Sequence, residues 1–404
     1  MSRAAFRYDG PGPELARRQI LGVPVGAFHA AALRAAGGAD PAGAAWEILL
    51  GNRLLFDAGG LSLLEGALRG LPDRTGRVEF LLVPDPVAAR DFYGLQSGLR
   101  PDGTVRLPVE ARRRGASADS PLETVRLVLP SSLTPIPFPR SLAEPTETSV
   151  PHALLLSRDG DFDLLFASQI AWPAELRRLV PRSPGALLRS LFRREPRDRG
   201  LRAATAWREI DRTAEIHPTA VIEGSRIGPG VRVGAHCTVR FSTLAADVRL
   251  HDGAKVEFSS VGRGSWLMHD LVLFRCHVEE EVFLIHGPYQ FSSFHTRSAA
   301  FATILMDWLP HGGAFRVMTD AGLREYRGRF LGSVYREGAR TLGGALLAPG
   351  RIVPENTWLA GDPDQVHRRI DPGLPQESPV PPGRKDAAAG APAPSVRPLS
   401  SQIP

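Results

Sequence analysis

The chain has 404 residues, 43% apolar and 23% charged, with 41 glycines and 36 prolines. That apolar share excludes a wholly disordered chain, and two cysteines exclude a small disulfide-stapled secreted fold. Basic residues outnumber acidic ones 49 to 43, for a net charge of +6, but only Lys255 and Lys385 are lysine. The arginines are scattered and aromatics make up 7%, so no stacking platform for single-stranded nucleic acid is present and no nucleic-acid partner is expected.

The first residues, Met1-Ser2-Arg3-Ala4-Ala5-Phe6-Arg7, lead into Asp9 and two prolines, not into the apolar segment of a secretory signal. The stretch 20–35 is interrupted by His29 and Arg34 and is too short to span a bilayer. A cytoplasmic protein with no membrane partner is expected. Residues 1–200 read as an α/β domain, with helical periodicity over 14–36 and 61–68. Strand-like apolar runs occur at 54–56, 78–83, 125–129 and 153–156. Asp85 follows one of these strands, where a carboxylate can meet a magnesium ion and a phosphate; an Asp-Pro turn is the plainer reading. Asp159-Gly160-Asp161-Phe162-Asp163 resembles a metal-binding acidic run, but Asp-Gly between two apolar runs is a type I′ signal, and a hairpin is expected there. Two basic amphipathic stretches, 174–180 and 185–192, are split by Pro181 and Pro184. A charged linker follows, placed at 201–215 before the next domain.

From Ile216 a repeat takes over. Ile216, Ile222, Ile227, Val233, Val239, Leu244, Leu250, Val256, Val261, Leu267, Leu273, Val278 and Leu284 are spaced 6, 5, 6, 6, 5, 6 and so on. Two hexads and a pentad make a 17-residue period. Neither a helix nor a simple strand gives that pattern. A three-sided coil of short strands does, with one apolar residue from each side pointing inward. Two residues earlier lies a second inward phase, which on the pentad side reads Ser225, Ser242, Ser259, Cys276. The period requires a shortened rung between Val278 and Phe294. It is lost over 295–329, where Thr319-Asp320-Ala321-Gly322 reads as a turn between two short strands. It resumes at Phe330, Tyr335, Thr341, Leu347, Ile352 and Trp358, giving final rungs and a closing segment over 330–370. About six rungs at roughly 4.8 Å make a prism about 30 Å long. Residues 371–404 are Pro/Ala/Ser-rich and are expected to be a disordered tail.

These motifs carry a family resemblance. Ile222-Glu223-Gly224-Ser225, Ile227-Gly228-Pro229-Gly230-Val231-Arg232-Val233-Gly234-Ala235 and Leu347-Ala348-Pro349-Gly350 look like the hexapeptide repeats of left-handed β-helix transferases. The segment from Trp358 to Ile370 resembles the one that closes such helices in sugar acyltransferases. The resemblance implies a left-handed parallel β-helix over 216–294 and 330–370. An α/β domain before it is the layout of sugar-1-phosphate nucleotidyltransferases, N-acetylglucosamine-1-phosphate uridyltransferase among them. The phosphate-binding chemistry of that family is missing: no Gly-rich loop has its spacing, and no lysine precedes Lys255. The first domain is therefore expected to be a degenerate nucleotidyltransferase-like unit.

Eight of the eleven histidines lie between His217 and His311. Asp252, His269 and His286 share one phase, two residues after Leu250, Leu267 and Leu284, and are expected to stack on successive rungs. In the hexapeptide acyltransferases a histidine is the general base that deprotonates the acceptor as it attacks an acyl thioester. The resemblance gives that role first to His286, at the register break, then to His269 and His295. A solvated corner ladder is the alternative. The histidine pair of the β-helical carbonic anhydrases, separated by four residues, is absent, and no metal is expected. Cys237 and Cys276 fall on inward phases and read as core. Acyl transfer from acyl-CoA to a sugar or nucleotide sugar is the first functional reading, in a homo-oligomer, a trimer by analogy. A non-catalytic binding or assembly protein is the alternative, and sugar-1-phosphate nucleotidyl transfer comes third.

Overall fold

A computed structural model describes residues 4–36, 44–69, 71–117, 119–135, 147–179, 207–308, 313–319 and 322–361. The basic stretch 185–192, most of the linker, the closing segment beyond 361 and the tail lie outside them.

The first half is α/β, as expected. Its central sheet runs in the order Ala4–Arg7, Trp46–Leu50, Val105–Arg113, Arg77–Val83, Leu122–Val128. The outer pairs are parallel, and Val105–Arg113 is antiparallel to both neighbours. The helical pattern at 14–36 is two helices, α1 (Pro13–Arg17) and α2 (Val25–Ala35). Between them Gln19–Ile20 and Val23–Pro24 form a tight antiparallel ribbon. Leu21 and Gly22 both turn through positive φ (53° and 74°) there, which no helix accommodates.

Helix α3 (Ala58–Leu68) is capped by Asp57, which accepts the Gly60 amide at 2.7 Å. Asp85 caps α4 (Pro86–Phe92), accepting the Val87 and Ala88 amides at 2.9 and 3.1 Å. The hairpin expected around Asp159-Gly160 is not formed. Leu155–Ser157 is a strand, but 164–166 belongs to α5 (Asp163–Arg178). The turn is held by Asp163, whose Oδ2 accepts the amides of Asp159 and Gly160, each at 2.7 Å. A carboxylate that gathers two amides at a helix start favours the helix over a type I′ turn.

The second half is the expected left-handed parallel β-helix. Face one (beginning at Glu209–Ile210) and face two (beginning at Glu215–Ile216) each hold eight strands, and face three (Val221–Glu223 to Pro288–Gln290) holds five. Pairs such as Val233↔Leu250 and Leu250↔Leu267 are parallel and one rung apart. Because Glu209–Ile210 already pairs with Arg226–Ile227, the coil starts inside the segment read as linker. The inward positions Val239, Val256 and Leu273 are fully buried and stack along the axis.

The serine column shows why a polar residue recurs inside. Each hydroxyl donates to the carbonyl two residues back, as Ser242 does to Arg240 at 2.7 Å. It also accepts the amide of its counterpart one rung on, as from Ser259 at 3.1 Å. The same pair of bonds is made by Ser225 and Ser259, the latter to the Cys276 amide at 2.9 Å. Both hydroxyl functions are used, so the buried oxygen costs little.

The shortened rung is localised. Trp266 pairs with Phe283, but Val272 pairs with Pro288, so one residue is removed at Ile285-His286-Gly287. The coil runs on through Ala299–Phe301 and Ile304–Leu305, so the excursion begins after Leu305 and not at 295. Ser293 then pairs with Val334, the coil rejoining itself across the excursion. The excursion contains an antiparallel hairpin, Phe315–Thr319 with Gly322–Tyr326, as expected around 319–322.

That hairpin straps the two halves together. Phe315, Val317 and Tyr326 are buried in the hydrophobic core of the first half, with Phe92 and Phe166. The Tyr326 hydroxyl donates to the Asp91 carbonyl at 2.8 Å, and Arg324 donates to the Gln96 carbonyl at 2.9 Å. Face one is covered by α5 and the 19–24 ribbon. Arg226 meets Glu175 at 2.9 Å and the Leu21 carbonyl at 3.2 Å, and Ser168 meets His277 at 3.0 Å.

Candidate functional site

Faces two and three meet at a corner that carries the expected ladder. His269 and His286 lie on successive rungs with ring centroids 4.8 Å apart and planes at 77°, and both side chains are exposed. His286 holds a left-handed backbone (φ 51°) at the shortened corner. Gly287 follows because a Cβ there would lie 2.6 Å from the Tyr289 ring. Asp252, one rung before His269, directs Oδ1 to the Ala235 amide at 2.7 Å and so fixes its own corner.

Beside this ladder an open groove of about 510 Å³ runs along face two, lined by His217, Arg232, Arg249, His251, Asp252 and Trp266 among others. The Arg249 guanidinium lies 4.4 Å from the Trp266 ring centroid. Asp252 lines the groove and shares the ladder column one rung before His269, which itself lies outside the groove lining. Guanidinium groups suit phosphates, an indole face suits a flat heterocycle, and an exposed imidazole suits proton transfer.

His295 is elsewhere. It is fully buried on the covered side of the coil, against Glu279 of the preceding rung, and is not brought to His269 and His286. The sequence phase carried this signal: His295 is one residue after the inward Phe294, His286 two after the inward Leu284. Around His295 is a cluster that sequence reasoning missed, because half of it comes from the other domain. Arg18 donates to Glu279 Oε2 at 3.1 Å, and the Thr296 amide reaches the same oxygen at 3.0 Å. His277 Nε2 is 3.9 Å from Glu279 Oε1, and its Nδ1 meets Ser168 and Ser260 at 3.0 and 3.1 Å. Burial opposes ionisation of Glu279, but the two imidazoles and the Arg18 cation outweigh it and hold the carboxyl well below the usual range. Burial pushes His295 down to about 4, partly offset by Glu279.

The other acidic candidates are structural. Asp85 is held by the Ser131 and Ser149 hydroxyls as well as by its helix amides. Burial would raise its carboxyl, and these bonds lower it overall. Asp161 pairs with Arg336 of the coil at 2.8 Å. Asp159 accepts the Ser97 amide at 2.6 Å. Among the described residues no group of three or more His, Cys, Asp or Glu side chains is placed to hold a metal ion. Cys237 and Cys276 are buried, and burial pushes the Cys276 thiol up to about 12, so neither is an activated nucleophile. Among the described residues no helix is long and apolar enough to cross a membrane.

Rung length, inward columns and corner geometry define the class: an α/β domain joined to a hexapeptide-repeat β-helix. No protein-family model matches the chain, and no curated protein matches it. Solved structures do. A hexapeptide transferase family protein from Anaplasma phagocytophilum is 16% identical over 39% of this chain and 75% of its own, with a TM-score of 0.24. PerB from Caulobacter crescentus, solved with CoA and GDP-perosamine, is 16% identical over 40% of this chain and 57% of its own, with a TM-score of 0.14. The acetyltransferase domain of PglB from Neisseria gonorrhoeae is 15% identical over 39% and 55%, with a TM-score of 0.12.

Proposed function

We propose that the chain is an acyltransferase of the hexapeptide class, moving an acyl group from acyl-CoA to a hydroxyl or amine on a sugar or nucleotide sugar. The observation that carries this reading is the exposed His269–His286 pair, one rung on from a groove that bears Arg232, Arg249 and Trp266 together with Glu215 and Asp252. In the proposed reaction His286 takes the proton from the acceptor as its oxygen or nitrogen attacks the thioester carbonyl. The acyl–sulfur bond then breaks and CoA leaves as the thiol, which regains a proton. His269, packed edge-on against His286, orients that ring. Arg232 and Arg249 face the phosphates of CoA or of the nucleotide sugar. A second and third copy of the chain complete the site in a trimer, because an open groove on one coil leaves a bound ligand half exposed.

The test is release of free thiol from acetyl-CoA in the presence of a panel of nucleotide sugars, for the wild type and His286→Ala. Acceptor-dependent release that disappears in the variant supports the proposal. Thiol release that is unchanged in His286→Ala removes His286 from the role.

A second reading, a non-catalytic binding or assembly protein, is favoured by one specific observation. Every acidic candidate of the first half described above is engaged in helix caps, turns or domain contacts. On that reading nucleotide sugars bind, and no thiol is released.

A further inference from the structure

The corner between faces three and one holds a column of residues in the left-handed backbone region: Phe241, Phe258, Arg275 and Phe291, with φ of 47°, 50°, 52° and 48°. The rings stack along it, Phe241 on Phe258 at 5.1 Å and Phe291 on Phe330 at 4.9 Å. At the third position the column carries a cation in place of a ring. The Arg275 guanidinium lies 5.5 and 5.8 Å from the Phe258 and Phe274 ring centroids, and the residue is only 5% exposed.

Its charge has no ion pair among the described residues, and its Nε has no hydrogen-bond partner. Asp91 faces it from the end of α4. That carboxylate is already held by Arg90 at 2.7 and 3.0 Å and by Thr148 at 3.2 Å. Rings alone do not compensate a desolvated guanidinium: the cation–ring attraction is smaller than the loss of hydration. Burial accordingly pushes Arg275 down to about 10.

The guanidinium borders a cleft of about 30 Å³ at the seam of three elements. Asp91, Thr148 and Gln169 reach it from the first half, Arg275 and Phe330 from the coil, and Tyr326 and Arg329 from the strap and the chain just after it. A cleft of this size has room for about two water-sized groups. It admits two oxygens of one tetrahedral oxyanion, the rest of the group lying at its mouth, and excludes a base or sugar ring.

We propose that Arg275 is the centre of a binding site for a phosphoryl-type oxyanion, seated where the first half, the coil and the strap meet. The anion supplies the missing counter-charge and the hydrogen bonds that a planar guanidinium presents in pairs. It is bound by the docked molecule only, so it favours the docked state. The site lies on a different corner from His269 and His286 and stands or falls independently of acyl transfer. Free phosphate and the terminal phosphoryl of a larger ligand share this chemistry; the larger ligand's remainder would extend out of the cleft.

The experiment is a thermal-unfolding titration of the full chain with sodium phosphate at constant ionic strength, balanced by sodium chloride. A parallel arm uses a nucleoside diphosphate. The proposal expects a saturable rise in Tm with phosphate, absent in chloride alone and absent in Arg275→Met. Arg275→Lys, which keeps the charge and loses the planar fork, should need more phosphate for the same shift. A nucleoside diphosphate that saturates at lower concentration identifies the phosphoryl of a larger ligand; equal or weaker binding identifies the free ion. No saturable rise in the wild type overturns the proposal, whatever the variants do. So does a rise of the same size in Arg275→Met.

Discussion

Arg18 and Glu279 form an ion pair of 3.1 Å between groups 261 positions apart. The carboxylate is fully buried and the arginine side chain 12% exposed, so the first half supplies the permanent cation for a charge that the coil encloses. Removing the cation alone should be costly. Arg18→Ala is expected to destabilise the protein by about 3 kcal/mol or more, the range for breaking one side of a buried pair. Glu279→Gln in the Arg18→Ala background should recover part of that loss. Urea unfolding of the two variants checks both; a loss below about 0.5 kcal/mol would class the pair with solvent-exposed ones.

Two buried histidines should lose their share of stability in a defined acid window. His295 is held down to about 4 and His29 to about 3, both by burial, against an ordinary value of 6.5. At these two histidines the unfolded chain therefore binds more protons than the folded one over that interval, whereas buried Asp163, pushed up to about 7, and Asp57, also raised by burial, act in the opposite sense. The histidine share of stability is full above about pH 6.5 and falls as pH drops toward 4. The depressed Glu279 contributes in the same direction, its share being lost only at pH below the ordinary carboxylate range. The measurement is the urea midpoint as a function of pH. His295→Gln should flatten the upper part of the fall, and an unchanged slope in that variant would assign it to other groups.

The inward serines predict a distinctive mutational pattern. Ser242→Ala strands the amide of Ser259, which loses its acceptor at 3.1 Å in a site closed to water. The expected cost is about 1–3 kcal/mol, although the change removes a single polar atom. Ser242→Cys should be milder, because Cys276 already occupies this column with its thiol turned to the Phe274 and Tyr289 carbonyls. Equal unfolding midpoints for Ser242→Ala and the wild type would show that the amide finds another partner.

His286→Ala and His269→Ala should separate activity from stability. Both side chains are exposed, so each variant is expected to unfold within about 0.5 kcal/mol of the wild type. Acyl transfer should fall by about 10²–10⁴-fold for His286→Ala, the range for loss of a general base. His269→Ala should lose less. Thiol release and urea midpoints measured on the same preparations check the contrast.

The coil was legible because its period is covalent in origin: three sides of fixed length place every seventeenth residue in one column. That regularity located the serines, the shortened rung and the His269–His286 contact. It did not say which face another domain would cover, so His295 was grouped with His286 when it belongs to the column of Gly262 and Glu279. The first half was harder to read for a related reason. Ala4–Arg7, Trp46–Leu50 and Val105–Arg113 are strands whose partners lie far along the chain, and short apolar runs do not announce such pairings. The Leu21-Gly22 turn was hidden because the residues around it keep a helical periodicity while their backbone does not.

The strap has a consequence for the order in which the molecule can be made. Phe315, Val317, Tyr326, Leu331 and Val334 belong to the same hydrophobic core as the strands and helices of residues 4–179. At synthesis rates of 5–20 residues per second, roughly 8–30 s separate the emergence of α5 from that of Val334. During that interval the first half has a core with a missing wall. Its completion waits for the coil, so a fragment ending near residue 180 is not a smaller version of the protein but an unfinished one.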